Sequence, residues 1–342
     1  MEYAIFNRPV VTIYGSPAET RETREGALSN ITDEGLYGQA CRVIARGEPA
    51  GWAQIETFYG YPGYVHEEEL DITGESALRS RLSGRYNLIG RHTDVLSLPD
   101  AVGVRLLSLE RGCLVRRLPE RRPGEPDNGT PVRREGWVRV SLLDGRAGYV
   151  RSVALEPVRF TQGALFYQEG PDGHRTQIEA EAAARGIAPA WLVGDTVERW
   201  FGGLEDAFRI SICQTAKLYL GVEYRWGGKS SRGIDCSGLA SSVYMQNGVL
   251  IYRDAQIRPG WPVHEIRPAD KKPGDLLYFP GHIAIYLGGD KYIHSTGAAA
   301  SGGVVINSLN PADSRYRADL AESITAVGSV FGKESPAGQA KA

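Results

Sequence analysis

The sequence predicts a multidomain chain, two small all-β barrels followed by an α+β domain. Three observations carry this expectation. Residues 1–75 hold short apolar runs broken by polar turns, and residues 84–157 repeat the same plan. From residue 205 onward come a helix, a glycine-rich loop that opens a second helix, and paired strands. At 342 residues the chain exceeds what one core usually fills, and 42% hydrophobic with 23% charged residues is the balance of a folded chain. A net charge of −2 gives no basic footprint for nucleic acid, and no run of 18 apolar residues provides a membrane span.

In the first barrel, 1–75, the strand candidates are Val10-Val11-Thr12-Ile13-Tyr14, Cys41-Arg42-Val43-Ile44, Trp52-Ala53-Gln54-Ile55 and Gly63-Tyr64-Val65. Residues 30–38, polar and glycine-punctuated, read as a long loop. In the second barrel, 84–157, Asp94 to Pro99 echoes Val11 to Pro17, Gly136-Trp137-Val138-Arg139-Val140 echoes Gly51 to Ile55, and Gly148-Tyr149-Val150 echoes Gly63 to Val65. The offsets are about 82 to 85 residues, too long for a solenoid and suited to tandem domains. Pro119 to Pro131, dense in Pro, Gly, Arg and Glu, reads as an exposed insertion in the second copy.

Residues 158–204 read as a helical linker, with a helix over Thr176–Arg185. Leu204 to Leu220 carries Phe208, Ile212, Ala216 and Leu220 at four-residue spacing, a second helix that Gly221 ends. Residues 205–332 form the α+β domain, and 333–342 a flexible tail.

The chemistry concentrates in Tyr224-Arg225-Trp226-Gly227-Gly228-Lys229 through Ile234-Asp235-Cys236-Ser237-Gly238-Leu239. Glycines keep the chain irregular up to Asp235, and Leu239, Ala240 and Val243 then fall at helical spacing. Cys236 therefore sits at a helix N-terminus, whose unpaired N–H groups favour thiolate. Asp235, able to cap that helix, works against a thiolate. Downstream, His282-Ile283-Ala284-Ile285-Tyr286-Leu287 alternates as a half-buried strand. Gly288-Gly289-Asp290 signals a hairpin turn into Tyr292-Ile293-His294. Such a hairpin brings His282 and His294 together, one serving as base to Cys236 while the other orients it. A zinc site of Cys236, His282 and His294 fits by ligand type, but no CxxC or HxxxH spacing supports it. Tyr224 and Trp226 read either as ordinary core aromatics or as a cleft wall.

Taken together, Tyr-Arg-Trp-Gly-Gly, Asp-Cys-Ser-Gly-Leu, Pro273-Gly274-Asp275-Leu276, Gly281-His-Ile-Ala-Ile-Tyr and Tyr292-Ile-His-Ser resemble the NlpC-type peptidoglycan endopeptidases, papain-like cysteine peptidases of bacteria. The upstream repeats resemble bacterial SH3-like barrels, and the whole arrangement resembles the YkfC-like γ-D-glutamyl-L-diamino acid endopeptidases. The resemblance implies Cys236 as nucleophile, His282 as general base, His294 as orienting residue and Tyr224 beside the oxyanion. It implies no cofactor and no metal. For the substrate, an L-Ala-γ-D-Glu-diamino acid stem peptide, it implies a pocket lined by Tyr224 and Trp226. Asp235 and Asp254 would hold a free amine and Ser237 the γ-D-Glu carboxylate. An aromatic residue of the first barrel, Tyr64, Tyr61 or Tyr59, would close the pocket. Ala255 departs from the serine the resemblance leads one to expect.

Met1 to Pro9 shows neither a basic start nor an apolar run, which predicts a cytoplasmic protein; a free-amine clamp of Asp235 and Asp254, as the resemblance implies, would suit murein peptide recycling. Cys41, Cys113, Cys213 and Cys236, widely spaced, read as reduced thiols. Rival readings are an exported hydrolase of intact wall, an acyltransferase or amidase on the same scaffold, and a binding protein whose catalytic domain has gone silent.

Overall fold

The first strands of the chain alternate buried and half-buried positions, so each offers one face to a core. In the computed structural model, residues 2–125, 129–160, 162, 165 and 193–332 are described. The helix expected over Thr176–Arg185 and the tail from 333 lie outside them. The chain divides into two compact units, 1–158 and 159–342.

The first unit begins with β1 (Glu2–Phe6), β2 (Val10–Tyr14), a separate hairpin of β3 (Thr20–Thr23) and β4 (Gly26–Ser29), β5 (Ile31–Leu36), β6 (Ala40–Arg46), β7 (Trp52–Thr57), β8 (Pro62–His66) and β9 (Leu70–Gly74). Seven of these pair antiparallel in the order β5-β2-β8-β7-β6-β1-β9. After helix α1 (Glu75–Leu82) come β10 (Tyr86–Ile89), β11 (Thr93–Leu96), β12 (Arg105–Leu109), β13 (Leu114–Arg117), β14 (Trp137–Ser141), β15 (Ala147–Arg151) and β16 (Leu155–Pro157). They pair in the order β12-β11-β15-β14-β13-β10-β16, the same topology strand for strand. The register repeats too: Trp52 faces His66 where Trp137 faces Arg151, and Tyr14 faces Tyr64 where Leu96 faces Tyr149.

One expectation is overturned here. Residues 30–38 are not a long loop; Ile31–Leu36 is strand β5, paired along β2. Its polar residues are buried, and the Tyr59 hydroxyl donates to the Asp33 carboxylate. A strand that buries acids against internal donors shows no apolar alternation. Leu36, its last residue, and Tyr37, just beyond it, pack into the core of the second sheet, where the Leu143 N–H donates to the Tyr37 hydroxyl at 2.6 Å.

The second unit holds α2 (Val193–Phe201), α3 (Glu205–Lys217), a small ladder of β17 (Lys229–Ser230) and β18 (Gly233–Ile234), and α4 (Cys236–Gln246). These are followed by β19 (His264–Ile266), β20 (Leu276–Phe279), β21 (His282–Gly288), β22 (Lys291–Thr296), β23 (Gly303–Ser308), α5 (Ala318–Ala321) and β24 (Ala326–Ser329). The six-stranded sheet runs β19-β24-β20-β21-β22-β23. Phe208, Ile212 and Ala216 of α3 and Leu239, Ala240 and Val243 of α4 pack with Ile283, Ile285 and Ile293 of the sheet. A second cluster, with Leu277, Phe279, Ala284, Tyr286 and Tyr292, fills the other face. Arg209 ties α3 to the sheet through a buried ion pair with Asp275 at 2.8 Å, and Ser329 donates to the same carboxylate at 2.6 Å.

Helix α4 is buried along its whole length rather than amphipathic. Several of its polar residues bond internally: Ser241 donates to the Gly238 carbonyl at 3.3 Å and the Gln246 Nε2 to the Tyr219 hydroxyl at 2.5 Å. Small residues in Cys-Ser-Gly-Leu-Ala-Ser-Ser let the backbone come close. A Cβ on Gly238 would sit 2.1 Å from the Gly228 carbonyl oxygen, and one on Gly228 would sit 2.4 Å from that of Gly233. The three glycines thus lock the loop onto the helix start.

Candidate active site

Asp235 caps α4, its Oδ1 accepting from the Gly238 N–H at 2.5 Å. Cys236 follows as the first helical residue and is buried. The backbone N–H groups of Ile283, on β21, and of Ser237 donate toward its sulfur. Nevertheless, burial, reinforced by the Asp235 charge, pushes the thiol up to about 11, and the nearby N–H groups and Arg253 only partly offset this. Of the two opposing influences expected from the sequence, the Asp235 charge, joined by burial, outweighs the helix start. The helix terminus attracts negative charge, but desolvation opposes it more strongly.

The turn between β21 and β22 has positive φ at Gly289 (56°) and Asp290 (60°), the two-residue geometry whose twist matches the flanking strands. Tyr286 faces Tyr292 across this hairpin, so the period-2 alternation puts His282 and His294 on the same face. His282 Nε2 and His294 Nδ1 lie 2.7 Å apart. His294 Nε2 lies 2.8 Å from Oδ1 of Asn307 on β23, a residue the sequence reading did not single out. His294 is 0% exposed, with the Tyr292 ring centroid 5.1 Å from its own, and His282 is half-buried beside Phe279. Burial lowers both histidines to about 4, aided at His282 by His294 and opposed at His294 by its hydrogen bond to Asn307.

The neutral thiol and neutral imidazole have a measurable consequence. Alkylation of Cys236 by iodoacetamide consumes thiolate, so its rate should rise about tenfold per pH unit from pH 7 and level off only near pH 11. A rate already flat from pH 6 would mean a preformed thiolate–imidazolium pair.

The substrate residues expected from the sequence fare unevenly. Asp235 does not offer its carboxylate outward. Oδ1 accepts from Gly238 N–H, Ser237 Oγ–H and Arg253, and Oδ2 from Gly227 N–H at 2.9 Å and Arg253 at 3.2 Å. Five internal donors leave it no lone pair for an incoming ammonium. Ser237 directs its hydroxyl proton to Asp235 at 3.3 Å and accepts from Arg253 at 2.8 Å, so it too is turned inward. Arg253, unforeseen from the sequence, is only 1% exposed at its side chain and also donates to the Gly227 carbonyl at 3.1 Å.

Asp254, beside it, is half-buried, and Ala255, where a serine was expected, packs against the core. Trp226 is 63% exposed. Tyr224 is half-buried, and burial, with Cys236 once ionised and the Asp235 charge, raises its hydroxyl to about 12. A Cβ on Gly297 would lie 3.2 Å from the Tyr224 ring, so that glycine makes room for it. Tyr61 and Tyr64 are half-buried and Tyr59 is buried, all three in the first unit.

Comparison with known proteins fits this geometry. The NlpC/P60 family pattern matches residues 221–319. Dipeptidyl-peptidase 6 of Lysinibacillus sphaericus is 34% identical over 306 residues, 89% of this chain and 93% of that protein. Gamma-D-glutamyl-L-lysine dipeptidyl-peptidase of Bacillus subtilis is 40% identical over 94 residues, 25% of this chain and 31% of its own length. The solved structure of an NlpC/P60 family protein from Bacillus cereus superposes with a TM-score of 0.64 over 95% of this chain and 98% of that one. At 17% identity this establishes a shared fold. A buried cysteine at a helix start, a histidine pair on the adjoining hairpin and this near full-length relative lead to one conclusion: the chain is a cysteine peptidase of the NlpC/P60 family.

Proposed function

We propose that the protein hydrolyses the γ-D-Glu–diamino acid amide of peptidoglycan stem peptides that carry a free N-terminal L-Ala. The observation that carries this reading is the histidine pair, its imidazoles 2.7 Å apart, on the hairpin whose Ile283 N–H, next in sequence to His282, donates toward the Cys236 sulfur. The substrate class follows from the relatives named dipeptidyl-peptidases, one of them for a γ-D-glutamyl-L-lysine bond. An enzyme that releases a dipeptide from the N-terminus needs a recognisable N-terminus. Asp235 is consumed internally, and the proposal keeps the amine at Asp254, the second acid that the resemblance implies. Trp226, exposed beside the nucleophile loop, is assigned to the pocket wall.

In this reading His282 takes the Cys236 proton as the sulfur attacks the γ-carbonyl carbon. Because the resting thiol is neutral, proton transfer and attack coincide. The carbonyl oxygen, now negative, meets the backbone N–H groups at the start of α4 and the Tyr224 hydroxyl, which remains protonated with its raised pKa. His282 returns the proton to the departing amine, leaving an L-Ala-γ-D-Glu thioester on Cys236. Water, deprotonated by His282, then clears the thioester. His294 holds the His282 ring in place throughout.

The proposal includes two SH3-like barrels in the first unit, supported by the repeated strand order. It also includes a cytoplasmic role in recycling stem peptides. Mass spectrometry of L-Ala-γ-D-Glu-meso-diaminopimelate beside its N-acetylated form tests the N-terminal requirement. The free peptide should be cut at least about 100-fold faster, as expected when a half-buried acid loses its charged partner. Equal rates would point instead to intact wall as the substrate.

A further inference from the structure

We infer that Asn307 is a positioning residue that fixes, through His294, which nitrogen of His282 carries a proton. The inference rests on the proposed roles of Cys236 and His282. It starts from a register observation: Asn307 faces Tyr292 and His294 faces Val305 across β22 and β23, so Asn307 and His294 are diagonal neighbours on one face.

The amide of Asn307 has only one satisfactory orientation. Its Nδ2 donates to the Arg315 carbonyl at 3.1 Å, and a flipped amide would set its own oxygen against that carbonyl. The Arg315 carbonyl is held from several sides. It accepts from the Ser308 N–H at 3.0 Å, and the Asp313 side chain accepts from both the Arg315 backbone N–H and guanidinium. With Nδ2 committed, Oδ1 faces His294 and can only accept, so His294 Nε2 carries the hydrogen.

The rest follows by counting protons. His294 is wholly buried and neutral, so it has a single N–H and its Nδ1 is a bare lone pair. That lone pair lies 2.7 Å from His282 Nε2, which must therefore be the donor. His282, neutral as well, is left with its basic lone pair on Nδ1, the nitrogen not engaged by His294 and hence free to serve the Cys236 thiol. Read in reverse, a proton arriving on His282 Nδ1 finds the opposite N–H already anchored through His294 to Asn307. Without an acceptor at Asn307, His294 could shift its hydrogen to Nδ1. It would then present a donor to His282 Nε2, driving the His282 hydrogen onto Nδ1 and removing the base.

The test is a long-range ¹H–¹⁵N spectrum of ¹⁵N-histidine-labelled full-length protein at pH 7, for wild type, Asn307→Ala and Asn307→Asp, with kcat and KM measured on the stem peptide. Wild type should show both His282 and His294 with hydrogen on Nε2. Asn307→Ala should give mixed tautomers and lower kcat by about 10- to 100-fold with KM within about twofold. Asn307→Asp, which keeps an acceptor toward His294 but loses the bond to the Arg315 carbonyl, should keep His294 protonated on Nε2 and recover part of kcat. A wild-type spectrum with His294 protonated on Nδ1 overturns the inference, even if the Ala variant does not fold. An Asn307→Ala protein with unchanged tautomers and kcat overturns it too. The tautomer readout does not depend on turnover, so absent peptide hydrolysis by wild type would refute the proposed activity and leave the assignment of Asn307 to the spectrum.

Discussion

Cys236→Ala should bring stem-peptide hydrolysis down to background, a loss of at least about 10⁴-fold, and His282→Ala should lose nearly as much. The expectation comes from how the two groups depend on each other. Cys236 rests as a thiol raised to about 11 and has almost no thiolate at neutral pH, so it attacks only if His282 takes its proton at that moment. The imidazole in turn has no role without a nucleophile. The double variant should therefore be no slower than either single one, whereas independent contributions would multiply. Initial rates on one peptide, with circular dichroism to confirm folding, check this. A Cys236→Ala protein that keeps even one hundredth of the activity would remove the cysteine from the mechanism. The pH profile has a matching sign: His282, lowered to about 4, stays basic down to that pH, so the acid limb of kcat/KM should fall near 4 rather than near 6.5.

Arg253→Met should be the most damaging change away from the reacting atoms. The arginine is buried and bridges both oxygens of Asp235, the Ser237 hydroxyl and the Gly227 carbonyl. Removing it leaves a carboxylate buried with no cation, at a cost of about 3–5 kcal/mol. For a unit of this size that corresponds to a Tm lower by about 10 °C. Activity should fall as well, because the Asp235 charge would then raise the Cys236 thiol further unopposed. Arg253→Lys should rescue poorly, since one ammonium cannot span four acceptors as a guanidinium does. Adding Asp235→Asn to Arg253→Met should restore part of the Tm by removing the unpaired charge. Melts of the four proteins decide it, and an Arg253→Met protein within about 1 kcal/mol of wild type would show the bridge to be dispensable.

The features legible in the sequence were those with a short-range signature. The period-2 run from His282 to Leu287 and the Gly289-Asp290 turn announce a hairpin, and a hairpin fixes the neighbours of His282. Glycines around Asp235 mark an irregular approach to a helix, and Gly228 and Gly238 are found where neighbouring backbone leaves no room for a Cβ. The tandem repeat was visible in matched Trp, Tyr and Gly positions and reappears as one strand order used twice. What could not be read depends on burial and on partners distant in sequence. Arg253 reads as an ordinary surface arginine until the fold closes over it, 18 residues from Asp235. Asn307 is one polar residue on a strand, and only its register against β22 gives it meaning. The acidic stretch of β5 looked like a loop because the groups that satisfy its side chains lie elsewhere in the chain. The balance at the helix start was hidden for a related reason: the terminus is visible in the sequence, the depth at which it is buried is not.

The most direct test of the central claim is mass spectrometry of the products when wild type and Cys236→Ala are incubated with L-Ala-γ-D-Glu-meso-diaminopimelate. The account predicts L-Ala-γ-D-Glu and free diaminopimelate from wild type and intact peptide from the variant. Cleavage at a different bond, or the same products from the Cys236→Ala protein, would contradict it.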